Sequence, residues 1–221
     1  MIGKHTQGKN ILFSFKVVIV GPPSVGKTCL FNRFCFNSFN FDTSLTIGLN
    51  FHSIDLKIRN IDETDNPKEF HNVCSIFDLG GQERFKALLP KFLGGANGVL
   101  LVFDLTNSSS FDQLDFWYDQ LLEYADCLKI PKYLVGSKSD LLETVPEKFH
   151  VPEVTIDRFV KEKQFDGFFR TSALKNNNVL NVFKELNNLM LKHQNTGYIV
   201  VCKKCHNQIK NSSYTYNRRT R

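Results

Sequence analysis

Apolar residues along this chain gather into two alternating forms. Short runs at about 11–20, 50–59, 72–78, 98–104, 131–136 and 168–171, bounded by glycine or polar residues, read as six strands. Helical patterns fall between and around them, near 27–36, 83–92, 109–127, 154–164 and 177–193. In the third of these, Leu114, Trp117, Leu121 and Ala125 recur at three- and four-residue steps, as one buried face requires. The alternation implies an α/β fold with a doubly wound, mostly parallel six-stranded sheet flanked by five helices. In such a sheet a ligand sits at the carboxyl ends of the strands. The polar stretch Asn60–Glu69 reads as a surface loop in the hairpin before the third strand. The pattern divides the chain into a flexible start at 1–10, one domain at 11–195 and a tail at 196–221.

At 221 residues and 42% hydrophobic content the chain can bury one sizeable core. It contains no run of eighteen apolar residues, so no membrane span is expected. The N-terminal stretch lacks an apolar signal core, and its glycine is Gly3 rather than residue 2, which argues against myristoylation. Cys29, Cys35, Cys74 and Cys127 fall in predicted helices or strands, where a reduced, buried thiol is the ordinary case. A cytoplasmic protein is expected.

The candidate chemistry begins at Gly21-Pro-Pro-Ser-Val-Gly26-Lys27-Thr28, which fits G-x-x-x-x-G-K-[ST] between a strand and a helix. In that context the loop's N–H groups converge on an anion at a helix N-terminus, whose dipole favours negative charge. Pro22 and Pro23 have no N–H, so the donors come from Ser24, Val25, Gly26, Lys27 and Thr28, with Cys29 next on the helix. Lys27 suits the β- and γ-phosphates, and the Thr28 hydroxyl suits Mg²⁺. The strand ending at Asp78 runs into Leu79-Gly80-Gly81-Gln82. An Asp there can hold Mg²⁺ through water, Gly81 lets backbone approach the γ-phosphate, and Gln82 can orient an attacking water. Thr46, eighteen residues beyond Thr28, can close on the metal and the γ-phosphate. A further strand leads into Ser137-Lys138-Ser139-Asp140, where a carboxylate can accept from the ring N–H and exocyclic amine of guanine. Thr171-Ser172-Ala173 follows the sixth strand, where a backbone N–H can meet the guanine carbonyl.

These ordered boxes resemble the Ras superfamily of small GTPases, most closely its Rab branch, over roughly residues 12 to 193. The resemblance implies a P-loop small G-protein domain that binds GTP or GDP with Mg²⁺ at Thr28, Thr46 and Asp78. It implies slow hydrolysis with Gln82, Lys27 and Thr46 as catalytic residues, in a molecular switch of membrane trafficking. Phe39 falls where the family often places an aromatic ring against the base. Ser137, Lys138 and Asp140 stand at its N-K-x-D box, and Ser172, Ala173 and Leu174 at its T-S-A-K element. Thr46-Ile-Gly, Gly81-Gln-Glu-Arg-Phe85 and the trio Phe51, Phe77 and Phe92 resemble Rab switch regions and their aromatic effector surface. Effectors, an exchange factor and an activating protein are the implied partners. Phe77 and Phe92 also fit as plain core residues in a chain with 21 Phe.

Departures from the pattern temper this. Ser137 replaces the usual Asn, so a link from the base to the phosphate loop is expected to be lost or water-bridged. Such a loss costs about 1–3 kcal/mol, roughly five- to 150-fold in affinity. Leu174 replaces a Lys, Leu79-Gly80 replaces Thr-Ala, and Pro23 adds bulk near Gln82 or an incoming arginine. These changes motivate an alternative: a weakly binding or non-hydrolysing scaffold that recruits partners through its switch surface.

From Thr196 the chain carries six basic residues and no acidic one, equal to the whole formal charge of +6. A basic end suits an anionic membrane surface, at about 1 kcal/mol per residue near the bilayer. A plain solvated tail is the alternative, and nucleic acid fits less well. Cys202-Lys-Lys-Cys205-His206 can be half a zinc site completed by His193 or a partner, or a lipidated cysteine pair, or a stretch of no special role. The c-type haem pattern that it also matches does not suit such a tail. The chain ends Arg218-Arg-Thr-Arg221, without the cysteines that Rab proteins prenylate, so anchoring of that kind is not expected.

Overall fold

The structure is a computed structural model that describes residues 10–41, 45–62 and 70–201. Its strands are β1 (Ile11–Val20), β2 (Leu49–Asn60), β3 (Phe70–Leu79), β4 (Gly98–Asp104), β5 (Lys132–Ser137), β6 (Gly167–Arg170) and β7 (Tyr198–Val200). They form one sheet in the order β6-β5-β4-β1-β3-β2-β7. β1, β3, β4, β5 and β6 run parallel, while β2 lies antiparallel to both β3 and β7. The expected α/β sheet is present with one strand more than the pattern predicts.

Why these residues form a sheet covered on both sides follows from the two-residue period of a strand. All seven residues of β4 are buried. Val99, Leu101 and Phe103 face one side with Val18 and Val20, against Leu114, Trp117 and Leu121. Leu100 and Val102 face the other with Val17 and Ile19, against Leu30, Phe31, Phe183 and Leu186. α2 (Leu89–Leu93), α4 (Leu114–Ala125) and α5 (Glu153–Glu162) cover the first face; α1 (Lys27–Phe36) and α6 (Val179–His193) cover the second. Full burial of each such side chain contributes about 1.5–3 kcal/mol. Phe34 and Phe183 stack with centroids 3.9 Å apart and fix α1 against α6.

Helix boundaries differ from the sequence expectation for local reasons. The helix expected over 83–92 is a 3₁₀ segment at Glu83–Leu88 followed by short α2. Pro90 accounts for the break: it lacks an N–H, and it is tolerated only in the first turn of a new helix. The helix expected over 109–127 is split into α3 (Ser108–Phe111) and α4, which ends where Asp126 turns left-handed with φ 49°. Cys74 and Cys127 are buried, whereas Cys29 and Cys35 are half-buried, not buried as expected. β7 was not foreseen. After α6 the chain turns at Asn195, φ 53°, and Tyr198–Val200 pairs with Asn60–Ile58 of β2. Tyr198 meets the edges of Phe13 and Phe70 at 6.0 and 5.5 Å, and Val200 is buried. The sheet therefore continues past residue 195.

One polar pair crosses the second core. Asn72 on β3 donates to Asn187 Oδ1 on α6 at 2.9 Å, and Asn187 donates to the Phe183 carbonyl at 2.8 Å; both side chains are fully buried. Asn187→Ala leaves the Asn72 amide without its partner and is expected to destabilise the fold by about 1–3 kcal/mol in urea unfolding. The double variant Asn72→Val, Asn187→Leu is expected to recover most of that loss. A single variant as stable as the parent would contradict this account.

Candidate nucleotide site

The phosphate-loop candidates stand between the buried end of β1 and the start of α1. Gly21 has φ 141°, and a Cβ there would lie 2.1 Å from the Val102 carbonyl oxygen, so no other residue fits. Gly26, φ 89°, sits at the start of α1 with no side-chain cap, and the first helical bond runs from Leu30 N to Gly26 O at 2.9 Å. Gly26, Lys27, Thr28 and Cys29 line a cavity of about 400 Å³ together with Ser24, Phe39, Thr46, Gly81 and Gln82. Val25 lies beneath it, buried in the core. The same cavity is closed at its other end by Ser137, Lys138, Asp140, Ala173 and Leu174. Ser172 is fully buried behind this wall. Its size is within the range of small-ligand sites.

Lys27 is buried, and its ammonium donates to the carbonyls of Gly21 at 2.7 Å and Pro22 at 2.5 Å. Burial lowers its pKa to about 8, against the opposing pull of Asp78. Asp78, at the end of β3, is fully buried. Its Oδ2 accepts from Thr28 Oγ1 at 2.7 Å and Asn50 Nδ2 at 2.9 Å. Burial raises the pKa of this carboxyl, while those two donors and Lys27 pull it down. The Thr46 hydroxyl lies 2.5 Å from that of Thr28. The three expected metal residues are thus in one network, all offering oxygen, as a hard divalent cation requires. Asp78 Oδ1 is buried without a hydrogen-bond partner, which is the atom that a hydrated cation would satisfy. The residues present fit Mg²⁺.

The glycine pair after Asp78 has a visible purpose. A Cβ on Gly81 would sit 2.6 Å from Pro22 C and Pro23 N, so this residue packs on the phosphate loop. A Cβ on Gly80 would sit 2.8 Å from the Thr46 carbonyl oxygen, and Gly80 N donates to Gly48 O at 2.9 Å. One dipeptide thereby holds the Thr46 segment and the phosphate loop together. Gln82 caps the start of the 3₁₀ segment and, like Pro23, lines the cavity.

At the far end the Ser137 hydroxyl lies 2.5 Å from the Val25 carbonyl and 2.9 Å from that of Phe103, so this shorter side chain touches the phosphate loop directly. Lys138, left-handed at φ 57°, pairs with Asp104 at 2.8 Å. Ser172 Oγ donates to Asp140 Oδ1 at 2.5 Å and orients that carboxylate. Phe39 is half-buried with Phe41 against its edge at 4.9 Å. Phe51 and Phe77 stand 4.8 Å apart, the first half exposed, and Phe92 packs half-buried on the same face as Phe77. Cys202, Cys205 and His206 lie outside the described residues. Among those described, no three metal-binding side chains gather to suggest zinc.

Sequence reasoning missed three contributors. Asn50 and Asp104 each hold a site residue, and Arg33 bonds the carbonyls of Ala173 and Leu174 at 2.7 and 3.4 Å. No motif names them, since each acts through a residue remote in sequence.

Comparison with known proteins agrees with this geometry. The model of the Ras family matches residues 16–192. The chain belongs to the Ras family. Among its relatives is Ras-related protein RGP1 of Oryza sativa subsp. japonica, 38% identical over 178 residues, covering 80% of this chain and 71% of that protein. GTP-binding protein ypt3 of Schizosaccharomyces pombe is 37% identical over 175 residues, 78% of this chain and 73% of its own. Ras-related protein RABA5c of Arabidopsis thaliana is 34% identical over 172 residues, with 78% and 73% covered. The chain is a Rab-like small GTPase, of a family that binds GTP or GDP with Mg²⁺.

Two outcomes follow from the geometry. Gly80→Ala keeps an allowed backbone but drives a methyl into the Thr46 carbonyl, so the Thr46 segment is displaced. Release of a non-hydrolysable GTP analogue, followed by stopped-flow fluorescence, is expected to quicken about tenfold, the loss of roughly one hydrogen bond. GDP release, which involves no γ-phosphate, is expected to change little. The second concerns Lys27, whose pKa near 8 must rise beside a phosphate. Binding then takes up a proton above about pH 8, and affinity falls as pH increases beyond it. Calorimetry in buffers of different ionisation heat measures that proton, and a flat profile from pH 7 to 9.5 would refute the assignment.

Proposed function

We propose that this chain is a GTP/GDP switch of membrane trafficking with slow intrinsic hydrolysis. The observation that carries the reading is the contact of Thr46 with Thr28, which in turn bonds Asp78, with Gly80 packed against the Thr46 backbone beside one cavity. Phosphates would occupy the end lined by Ser24 to Cys29, and guanine the end lined by Asp140 and Ala173. Mg²⁺ held by Thr28, Thr46 and, through water, Asp78 would offset phosphate charge. Lys27 contributes a buried positive charge, and Gln82 orients the attacking water. Among the described residues no arginine lines the cavity, so transition-state charge is left for a partner to meet. Turnover by the chain alone is therefore slow.

The exposed rings and apolar residues around Thr46 supply a docking face. Phe51, beside Phe77, is 53% exposed, and Ile47 is 78% exposed. With Phe92 they would receive effectors, an exchange factor and an activating protein. Among the described residues no helix is long and apolar enough to cross a membrane. The basic tail would hold the protein at the cytosolic face of an anionic membrane, and nucleic acid is not part of this reading. Pro23, which lines the same cavity as Gln82 and packs against Gly81, favours a second reading, a scaffold that binds nucleotide and does not cleave it.

Single-turnover hydrolysis of GTP separates the two. The parent protein is expected to cleave at a rate on the order of 10⁻⁴ s⁻¹. Gln82→Leu is expected to lower that at least tenfold without weakening nucleotide binding. Equal, background-level rates in parent and variant would favour the scaffold.

A further inference from the structure

The base end of the cavity depends on a residue that does not line it. Leu174 stands where a charged side chain was expected, and it is exposed, so it contributes little to fixing its own loop. The loop is tied at its two ends. Thr171 O accepts from Ser139 N at 3.0 Å, and Ser172 and Asn177 exchange backbone bonds at 3.1 and 2.9 Å. Ala173 and Leu174 lie between those ties. Among the described residues, their carbonyls are bonded by one group, the Arg33 guanidinium on α1, through Nε at 2.7 Å and Nη2 at 3.4 Å.

The same guanidinium reaches the segment that follows α1. Its Nη1 donates to the carbonyl of Asn37, the left-handed C-cap of α1, at 3.1 Å. Its centre lies 5.9 Å from the Phe39 ring, within range of a cation–π contact. The planar fork thus holds three backbone oxygens on two segments, and those segments supply Phe39 on one side and Ala173 and Leu174 on the other to the lining of the cavity. A lysine, with a compact charge and no fork, cannot span them together.

We propose that Arg33 is a positioning residue for base selection: by holding the Ala173 carbonyl it sets the plane of the peptide joining Ala173 to Leu174, so that the Leu174 N–H on the other side of that plane meets the 6-oxo group of a guanine nucleotide. In a trans peptide the carbonyl and the N–H of the next residue point in opposite directions within one plane, so fixing the Ala173 oxygen fixes where the Leu174 N–H points. Arg33 acts on the oxo side of the base, and Asp140, oriented by Ser172, acts on the amine side. The inference rests on the nucleotide reading above.

The test compares three diphosphates on the full chain with Mg²⁺: GDP, its 6-thio analogue, and inosine diphosphate. The thio analogue changes the oxo group alone, and the inosine compound removes the 2-amino group that Asp140 would accept from. Arg33→Ala is expected to weaken GDP and inosine diphosphate alike, by about tenfold. The thio analogue is expected to lose much less, so that selectivity for oxygen over sulfur collapses. Arg33→Lys restores part of that selectivity, and it provides the same comparison if the alanine variant does not fold. Equal losses for all three ligands, or no loss, would overturn the inference while leaving the nucleotide reading standing. Failure of the parent chain to bind GDP would overturn both.

Discussion

A carboxylate buried at the end of a central strand is the constraint on which the phosphate end of this molecule turns. Asp78 is fully enclosed, and one of its oxygens has no partner. Such burial is costly unless charge or donors compensate it. Thr28 and Asn50 compensate at Oδ2, and Lys27 contributes positive charge nearby. The residual demand at Oδ1 is one that a hydrated hard cation would meet. The first turn of α1, the start of β2 and the Thr46 segment are therefore drawn to one point.

They are not drawn with equal strength. Thr28 belongs to a ten-residue helix and Asn50 to a strand paired with β3, so neither moves without disturbing the sheet. Thr46 lies between Leu45 and Ile47, which are 51% and 78% exposed, and it is held by its hydroxyl contact with Thr28 and by the Gly48–Gly80 bond. Segments with few buried contacts are the ones whose populations a ligand can shift. A phosphate or metal contact at Thr46 competes with little else. That difference in anchoring is what lets one face of a rigid domain report on the contents of its cavity.

The phosphate end was legible in the sequence because its chemistry is local. A loop that must offer N–H groups to an anion needs Gly21, Gly26 and Lys27 close together, and the strand before it is apolar for reasons of burial alone. The sheet was legible too, since β4 and β5 are buried on both faces and read as continuous apolar runs. β7 was not: three residues, Tyr198-Ile-Val200, are too few to show a period, and their partner lies about 140 residues earlier on β2. The break at Pro90 was available in principle from the missing N–H. Gly80 could be noted as unusual, but its reason, the Thr46 carbonyl 2.8 Å from where a methyl would stand, exists only in three dimensions. Arg33 sits on a helix among apolar residues with nothing local to mark it.

The departures at the base end bear on whether the site has decayed. Ser137 is shorter than the amide it stands in for, yet its hydroxyl reaches the Val25 carbonyl directly. Leu174 carries no charge, yet the carbonyls of its loop are held from α1 by Arg33. A surface retained only for docking would have no need to keep Ser137 buried, Asp140 oriented by Ser172, or a guanidinium fork joining two backbone segments. Each of these costs side-chain entropy that a merely structural loop need not spend. Their joint presence weighs toward a cavity shaped for a base.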